Sequence, residues 1–332
     1  MSNRLHYIIL LFTLCCAIDA TFSKAVDNMP AFMQKKSFVE QNGRLSVWGT
    51  SLVNEKGEDV MLKGVSLGWH NWWPRFYDKN TIAWLNSDWQ CNLVRAAIGV
   101  EPDGAFLTNP DLAYKKLYTV VDAAIKNGMY VIVDWHSHHI HKQEAEAFFQ
   151  KVVSKYKGVP NLLYEIYNEP EKDSWEDVKA YSESVIQTIR NIDSSAIILV
   201  GSPHWCQDIH LVADNPILEH TNIMYTLHFY AATHKQYLRD RADYALRKGI
   251  PIFVSECAGM EATGDGKLDI AEWNAWQQWM RENKLSWVAW SLSDKNETCS
   301  MVLDNTSPHY KWSATQLKPW GTLIRNTLKN LN

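Results

Sequence analysis

The chain carries no sustained basic stripe, and its 33 Lys and Arg are outnumbered by 37 Asp and Glu, a formal net charge of −4 over 332 residues. Binding a phosphate backbone needs clustered positive charge, so no nucleic-acid partner is expected. No C-x-x-C pair is present, which leaves a structural zinc site without support. The turn after the first predicted strand, Ser66-Leu67-Gly68-Trp69, has no glycine-rich phosphate-binding pattern. That argues against an open doubly wound sheet. Beyond residue 20 no stretch is long and apolar enough to cross a bilayer, so no membrane association is expected once the leader is removed. No Pro/Ser/Thr-rich linker, repeat array or second domain is visible. What remains, 46% apolar and 21% charged residues, is the composition of a soluble globular protein.

The first twenty residues differ in kind. Arg4 and His6 precede the apolar run 7–17, and the small Ala20 follows. This is the pattern of a secretory signal, so residues 1–20 are expected to be removed and the protein to be secreted to the extracellular space. Residues 21–37 read as a short extension and 38–332 as one folded domain. Cys15 and Cys16 leave with the signal. Cys91, Cys206, Cys257 and Cys299 remain, and four cysteines allow three pairings or can stay as buried free thiols. Asn296 and Asn305 each open an Asn-x-Ser/Thr sequon.

From residue 38 the pattern is regular. Residues 44–53 alternate around Gly49, predicting a small β-hairpin. Eight short β-rich runs follow, at 61–67, 92–98, 130–134, 162–167, 196–200, 223–228, 250–255 and 286–291, each trailed by a helix-like segment. Asn109-Pro110 marks one helix start, and Ser174 with Asp177 another. The strand runs are apolar on both faces, as buried parallel strands must be. Eight βα units in about 290 residues predict an α/β fold, a single-domain (β/α)8 TIM barrel with a small N-terminal hairpin.

In such a barrel the reactive groups gather at the C-terminal ends of the strands. Arg95 falls in the second strand, Asp134-Trp135-His136 ends the third and Asn168-Glu169-Pro170 the fourth. His228-Phe229-Tyr230 ends the sixth, Ser255-Glu256 the seventh, and Trp290 lies in the eighth. Two carboxyls facing one gap suit glycosidic cleavage, one giving a proton while the other attacks the anomeric carbon. Glu169 is the expected general acid/base and Glu256 the expected nucleophile. Arg95 and Tyr230 are expected to keep Glu256 ionised, while repulsion from Glu256 keeps Glu169 protonated. Asn168 is placed to meet the sugar 2-hydroxyl. Of sixteen tryptophans, Trp72, Trp205 and Trp290 fall on strand-end loops where an indole can stack on a sugar. Trp48, Trp84, Trp276 and Trp279 are expected to pack in the core.

The block Tyr167-Asn168-Glu169-Pro170 resembles the acid/base motif of glycoside hydrolase family 5. The ordered set Arg95, Asp134-Trp135-His136, His228-Phe229-Tyr230, Glu256 and Trp290 through Glu297 is similar to the cellulase branch of that family. The resemblance implies a retaining endo-β-1,4-glucanase, a monomer with no cofactor and no metal, acting on β-1,4-glucan. It also implies that His136 and His228 line the sugar subsite, that Trp290 is its platform, and that Lys295 and Glu297 contact a neighbouring glucose. Two departures stand out. Trp69-His70-Asn71-Trp72-Trp73 replaces a His-Gly-Leu-Gln-Trp segment found in many relatives, and Gly99 replaces a frequent tyrosine. Mannan and xylan therefore stay open as substrates. A glycan on Asn296 would crowd Glu297, so that sequon is expected to be unmodified.

Two readings of another class compete. His136, His138, His139 and His141 crowd the end of the third strand behind Asp134, as zinc ligands can, with His228 and Glu256 available to complete a set. That leaves Asn-Glu-Pro and the tryptophans unexplained. A glycan-binding barrel without catalysis needs the groove but not both carboxyls.

Overall fold

The computed structural model describes residues 36–304 and 310–330. The expected signal, most of the extension after it and the Asn305 sequon lie outside the described residues. Phe38 to the C-terminus forms one compact unit. The strands of the predicted hairpin are β1 (Ser46–Trp48) and β2 (Ser51–Val53), antiparallel and joined through Gly49.

Eight parallel strands follow and close on themselves. They are β3 (Lys63–Leu67), β4 (Leu93–Gly99), β5 (Tyr130–His136), β6 (Leu162–Glu165), β7 (Ile197–Val200), β8 (Ile223–Tyr230), β9 (Ile252–Ala258) and β10 (Trp287–Leu292). β10 pairs with β3, so the barrel has no free edge. Each predicted run overlaps its strand. The helices are amphipathic and capped where the sequence indicated. Asn109 accepts from Leu112 N ahead of the helix Pro110–Lys126, and the Ser174 side chain accepts from Asp177 N ahead of Trp175–Arg190. No helix among the described residues is long and apolar enough to cross a membrane.

Side-chain alternation divides the interior. Val94, Val131, Val133, Ile198, Tyr225, Val254 and Ala289 point outward into the layer shared with the helices. Their neighbours Leu93, Ile132, Leu163, Leu199, Met224, Phe253 and Val288 point inward and form an apolar floor. Val39, Leu45, Leu52 and Val60, from the N-terminal helix Phe38–Asn42, the hairpin and its flanks, join that floor and plug the barrel from below. On the outside, Arg325 of the C-terminal helix Pro319–Asn330 clasps Asp88 with two hydrogen bonds, at 2.6 and 2.9 Å, tying the last helix to the end of the first barrel helix Lys79–Ser87.

Candidate active site

Above the floor the inward positions turn polar. Two residues beyond Leu93 is Arg95, beyond Ile132 is Asp134, and beyond Leu163 is Glu165. Arg95 is buried, and its guanidinium reaches Glu165 Oε2 at 2.7 Å, Glu256 Oε2 at 3.0 Å, Asp134 Oδ2 at 3.0 Å and Asn168 Oδ1 at 2.6 Å. Burial opposes its charge, but Asp134, Glu165 and Glu256 outweigh that and keep it protonated well above the ordinary value. Asp134 also faces His136 Nδ1 at 2.6 Å. Burial raises the Asp134 carboxyl well above its usual range and lowers the His136 ring well below its own.

Glu256 reaches the cleft through a slip in strand register. Thr226 of β8 pairs with Phe253 and His228 pairs with Glu256, so β9 holds one residue more than its partner across that step. Strict alternation would turn either Ser255 or Glu256 outward. The extra residue lets both act inside the barrel. Tyr230 Oη donates to Glu256 Oε1 at 2.8 Å, on the oxygen that Arg95 leaves open.

Glu169 was expected at the last residue of its strand, but β6 ends at Glu165. The chain runs on irregularly. Asn168 N donates to Trp135 O and Glu169 N to Ser137 O, both at 3.2 Å, so the β5 end holds the segment in place. His228 Nδ1 lies 2.9 Å from Glu169 Oε1, and His138 Nε2 lies 3.4 Å from Oε2. The other His228 nitrogen meets Ser255 Oγ at 2.9 Å, which donates to Glu165 Oε1 at 2.6 Å. Oxygens of Glu169 and Glu256 and a nitrogen of His228 all lie within 4.8 Å of one another.

The protonation order runs against expectation. Burial would raise Glu169, yet the hydrogen bonds and charge of His138 and His228 bring it down to about 2. Burial and the neighbouring Glu169 raise Glu256, more than Arg95, His228 and Tyr230 lower it. Sequence reasoning counted the repulsion between the two acids but placed no imidazole on Glu169. His228 itself is raised well above its ordinary value. Burial would lower it, but surrounding acidic groups, Glu165 and Glu169 among them, overcome that.

The predicted sugar contacts divide between two sides of the mouth. Trp290, Lys295 and Glu297 line a small pocket with Trp69, Trp72 and Trp73. Trp290 is only 9% exposed, its ring flat against His136 at 5.2 Å, while Trp72 is 51% exposed. Lys295 and Glu297 pair with each other. On the other side Trp205 and Tyr237 flank a cavity of ≈ 550 Å³ that reaches Glu169, His228 and Tyr230. Asn168 Nδ2 is buried with no hydrogen-bond partner, a donor left over for a ligand. Trp276 and Trp279 pack in the core as expected. Trp48 does not: it sits at the hairpin end, 80% exposed, because the apolar side of that short hairpin is supplied by Leu52 and its neighbours.

The four described cysteines are buried and free. Asn296 is exposed, and the Thr298 hydroxyl of its sequon donates to Asp265. The histidine cluster fans out instead of converging. His136 faces Asp134, His138 faces Glu169 and His141 faces Glu101. Among the described residues only Glu169, His228 and Glu256 offer three donor atoms close enough to hold a metal ion. Sequence reasoning passed over Glu165 and Tyr237, offered His138 only as a metal ligand, named Ser255 only beside Glu256, and noted Trp69 and Trp73 only as a departure from relatives. For Glu165 a signal existed, since an ionisable residue inside an apolar barrel strand is rare unless it is paired.

A closed parallel barrel with a polar mouth, an acidic pair within 4.8 Å and an indole-lined groove defines the class of barrel glycosidases. Comparison narrows this. The model of the family described as Cellulase (glycosyl hydrolase family 5) matches residues 53–296. Endoglucanase A of Evansella cellulosilytica is 39% identical over 301 residues, 88% of this chain and 61% of that protein. Endoglucanase Z of Dickeya dadantii is 44% identical over 263 residues, 77% of this chain and 61% of that protein. The chain thus spans about three-fifths of the length of these two relatives. A solved structure from Cytophaga hutchinsonii superposes with a TM-score of 0.87 at 43% identity, covering 89% of this chain and 97% of that one. The catalytic domain of Thermobifida fusca endoglucanase Cel5A, in complex with cellotetraose, gives 0.84 at 30%, covering 89% of this chain and all of that one. The chain belongs to glycosyl hydrolase family 5.

Proposed function

We propose that the chain is a secreted endo-β-1,4-glucanase that cuts internal bonds of β-1,4-glucan with retention of anomeric configuration. The domain of residues 38–332 would act as a monomer and without a cofactor. The observation that carries the reading is the meeting of Glu169 and Glu256 oxygens within 4.8 Å. Retaining glycosidases need about 5–5.5 Å between carboxyls, whereas inverting ones need about 6.5–9.5 Å to admit a water.

Glu256 attacks the anomeric carbon while Glu169 protonates the departing oxygen. The proton need not reside on Glu169 in the empty cleft. It can sit on His228, one 2.9 Å hydrogen bond away, and cross to Oε1 as the bond breaks. A neutral Glu169 no longer raises Glu256 by repulsion, which favours the carboxylate form of Glu256 that attacks. Arg95 and Tyr230 then hold that carboxylate in line. Once Glu256 is esterified, Glu169 takes the proton of the attacking water. The free Asn168 amide meets the sugar 2-hydroxyl. Trp290 underlies the donor sugar, Lys295 and Glu297 hold its neighbour, and Trp72 extends that side. Trp205 receives the acceptor sugars.

Product analysis on carboxymethylcellulose, mannan and xylan tests this, with Glu169→Gln and Glu256→Gln in parallel. The expected result is viscosity loss and new reducing ends on the glucan, first released as the β-anomer. Each variant should lose at least about 10²–10⁴-fold in turnover while staying folded. Cleavage at the wild-type rate by both variants would end the assignment, and faster cleavage of mannan or xylan would move the substrate.

A further inference from the structure

Glu169 is gripped by two imidazoles, and only one belongs to the buried network beneath it. The second, His138, stands on the loop after β5 and presents Nε2 to Glu169 Oε2 at 3.4 Å. Several contacts fix it there. Its backbone N–H donates to Glu101 Oε1 at 3.0 Å, and the preceding carbonyl, Ser137 O, accepts from Glu169 N at 3.2 Å. Its ring lies flat on Trp69, with centroids 5.6 Å apart and planes 11° from parallel. Trp69 in turn occupies space that any side chain at position 99 would need, because a Cβ on Gly99 would fall 2.6 Å from Trp69 Cε3. Gly99, Trp69, His138 and Glu169 thus form a line of contacts running from strand β4 to the candidate acid.

We infer that His138 is a positioning residue for the acid step, holding the Oε2 edge of Glu169 so that the carboxyl stays aimed at the departing oxygen. This rests on Glu169 being the acid/base. His228 alone holds one oxygen, and the carboxyl can still swing about its last bond. A second contact on Oε2, opposite the first, stops that rotation. The charged form of the ring is supported where it lies: burial opposes it, but Glu169, Glu101 and Glu171 together raise it above the ordinary histidine value. The contact is 3.4 Å, long for a hydrogen bond between charged groups, so it steadies the Oε2 edge without displacing the tighter bond of Oε1 to His228.

The test compares kcat/KM on 2,4-dinitrophenyl β-cellobioside, whose leaving group departs without protonation, with kcat/KM on cellotetraose, whose leaving group needs the acid. The variants are His138→Phe, which keeps a flat ring on Trp69 and removes the nitrogen, and His138→Gln, which keeps a neutral donor. Glu169→Gln serves as the reference. Positioning predicts that His138→Phe loses about tenfold on cellotetraose, a part of the 10²–10⁴-fold expected of general acid catalysis, and stays within about twofold on the activated substrate. His138→Gln should recover some of that loss. Equal losses on both substrates would mean a purely structural role, and no loss on either would mean none; both overturn the inference. If Glu169→Gln itself fails to separate the two substrates, the assignment of the acid has failed and not the role of His138.

Discussion

The barrel strands carry two interiors, one above the other. Below, Leu93, Ile132, Leu163, Leu199, Met224, Phe253 and Val288 meet as hydrocarbon. One inward step higher on the same strands, Arg95, Asp134, Glu165 and Ser255, with His228 two steps above Met224, meet as a hydrogen-bonded charge network. Both layers are buried, yet they answer to different physics. The lower one needs only volume and apolarity, so it tolerates imperfect shape. The upper one needs every partner, because a buried charge that loses its counter-charge must be neutralised or exposed. The floor stabilises the cleft, and the cleft gains the low dielectric that makes its few hydrogen bonds strong.

Substitutions in each layer test that contrast. The largest effect belongs to Arg95→Met, which leaves Asp134, Glu165 and Glu256 without their common cation. Urea unfolding should show a loss of about 3–5 kcal/mol, and turnover should vanish with it. A stable variant would show that the carboxylates take up protons at little cost. Phe253→Ala, in the floor, should lose about 3 kcal/mol by leaving a cavity. Its kcat and pH profile at low temperature should match the wild type, and a displaced pH profile would mean that the two layers are electrostatically linked. Outside both layers, the Asp88–Arg325 clasp is partly exposed, and Asp88→Asn should cost about 0.5–1 kcal/mol at neutral pH. Arg325 holds the Asp88 carboxyl below its ordinary 3.8. The stabilisation is therefore complete above that value and is lost as pH falls through the depressed one, so the two proteins should converge in acid unfolding below pH 3.8. Trp48→Ser should change stability by less than about 0.5 kcal/mol, since that indole packs on little.

The two layers were not equally legible. The floor could be read from the amino acids alone, because eight runs apolar on both faces, each trailed by a helix signal, predict a barrel, and all eight strands fall where those runs lie. Arg95, Glu169, His228, Tyr230 and Glu256 were legible as polar groups near strand ends. How they share protons was not. The charge on Glu169 depends on His138, whose role is set by a loop, by a stack on Trp69 and by a missing side chain at Gly99. The inward turn of both Ser255 and Glu256 depends on a register slip that no composition reveals. Trp48 misled for a related reason, because a tryptophan in an alternating run promises burial only when the strand has a second layer to face.

Glu256 is expected to form a bond to the sugar across the gap from Glu169. The test is to incubate the protein with 2,4-dinitrophenyl 2-deoxy-2-fluoro-β-cellobioside and map the labelled peptide by mass spectrometry. One fluorocellobiosyl group per chain is expected, on Glu256, with inactivation and labelling running in parallel. Label on any other residue, or turnover with none trapped, would contradict it.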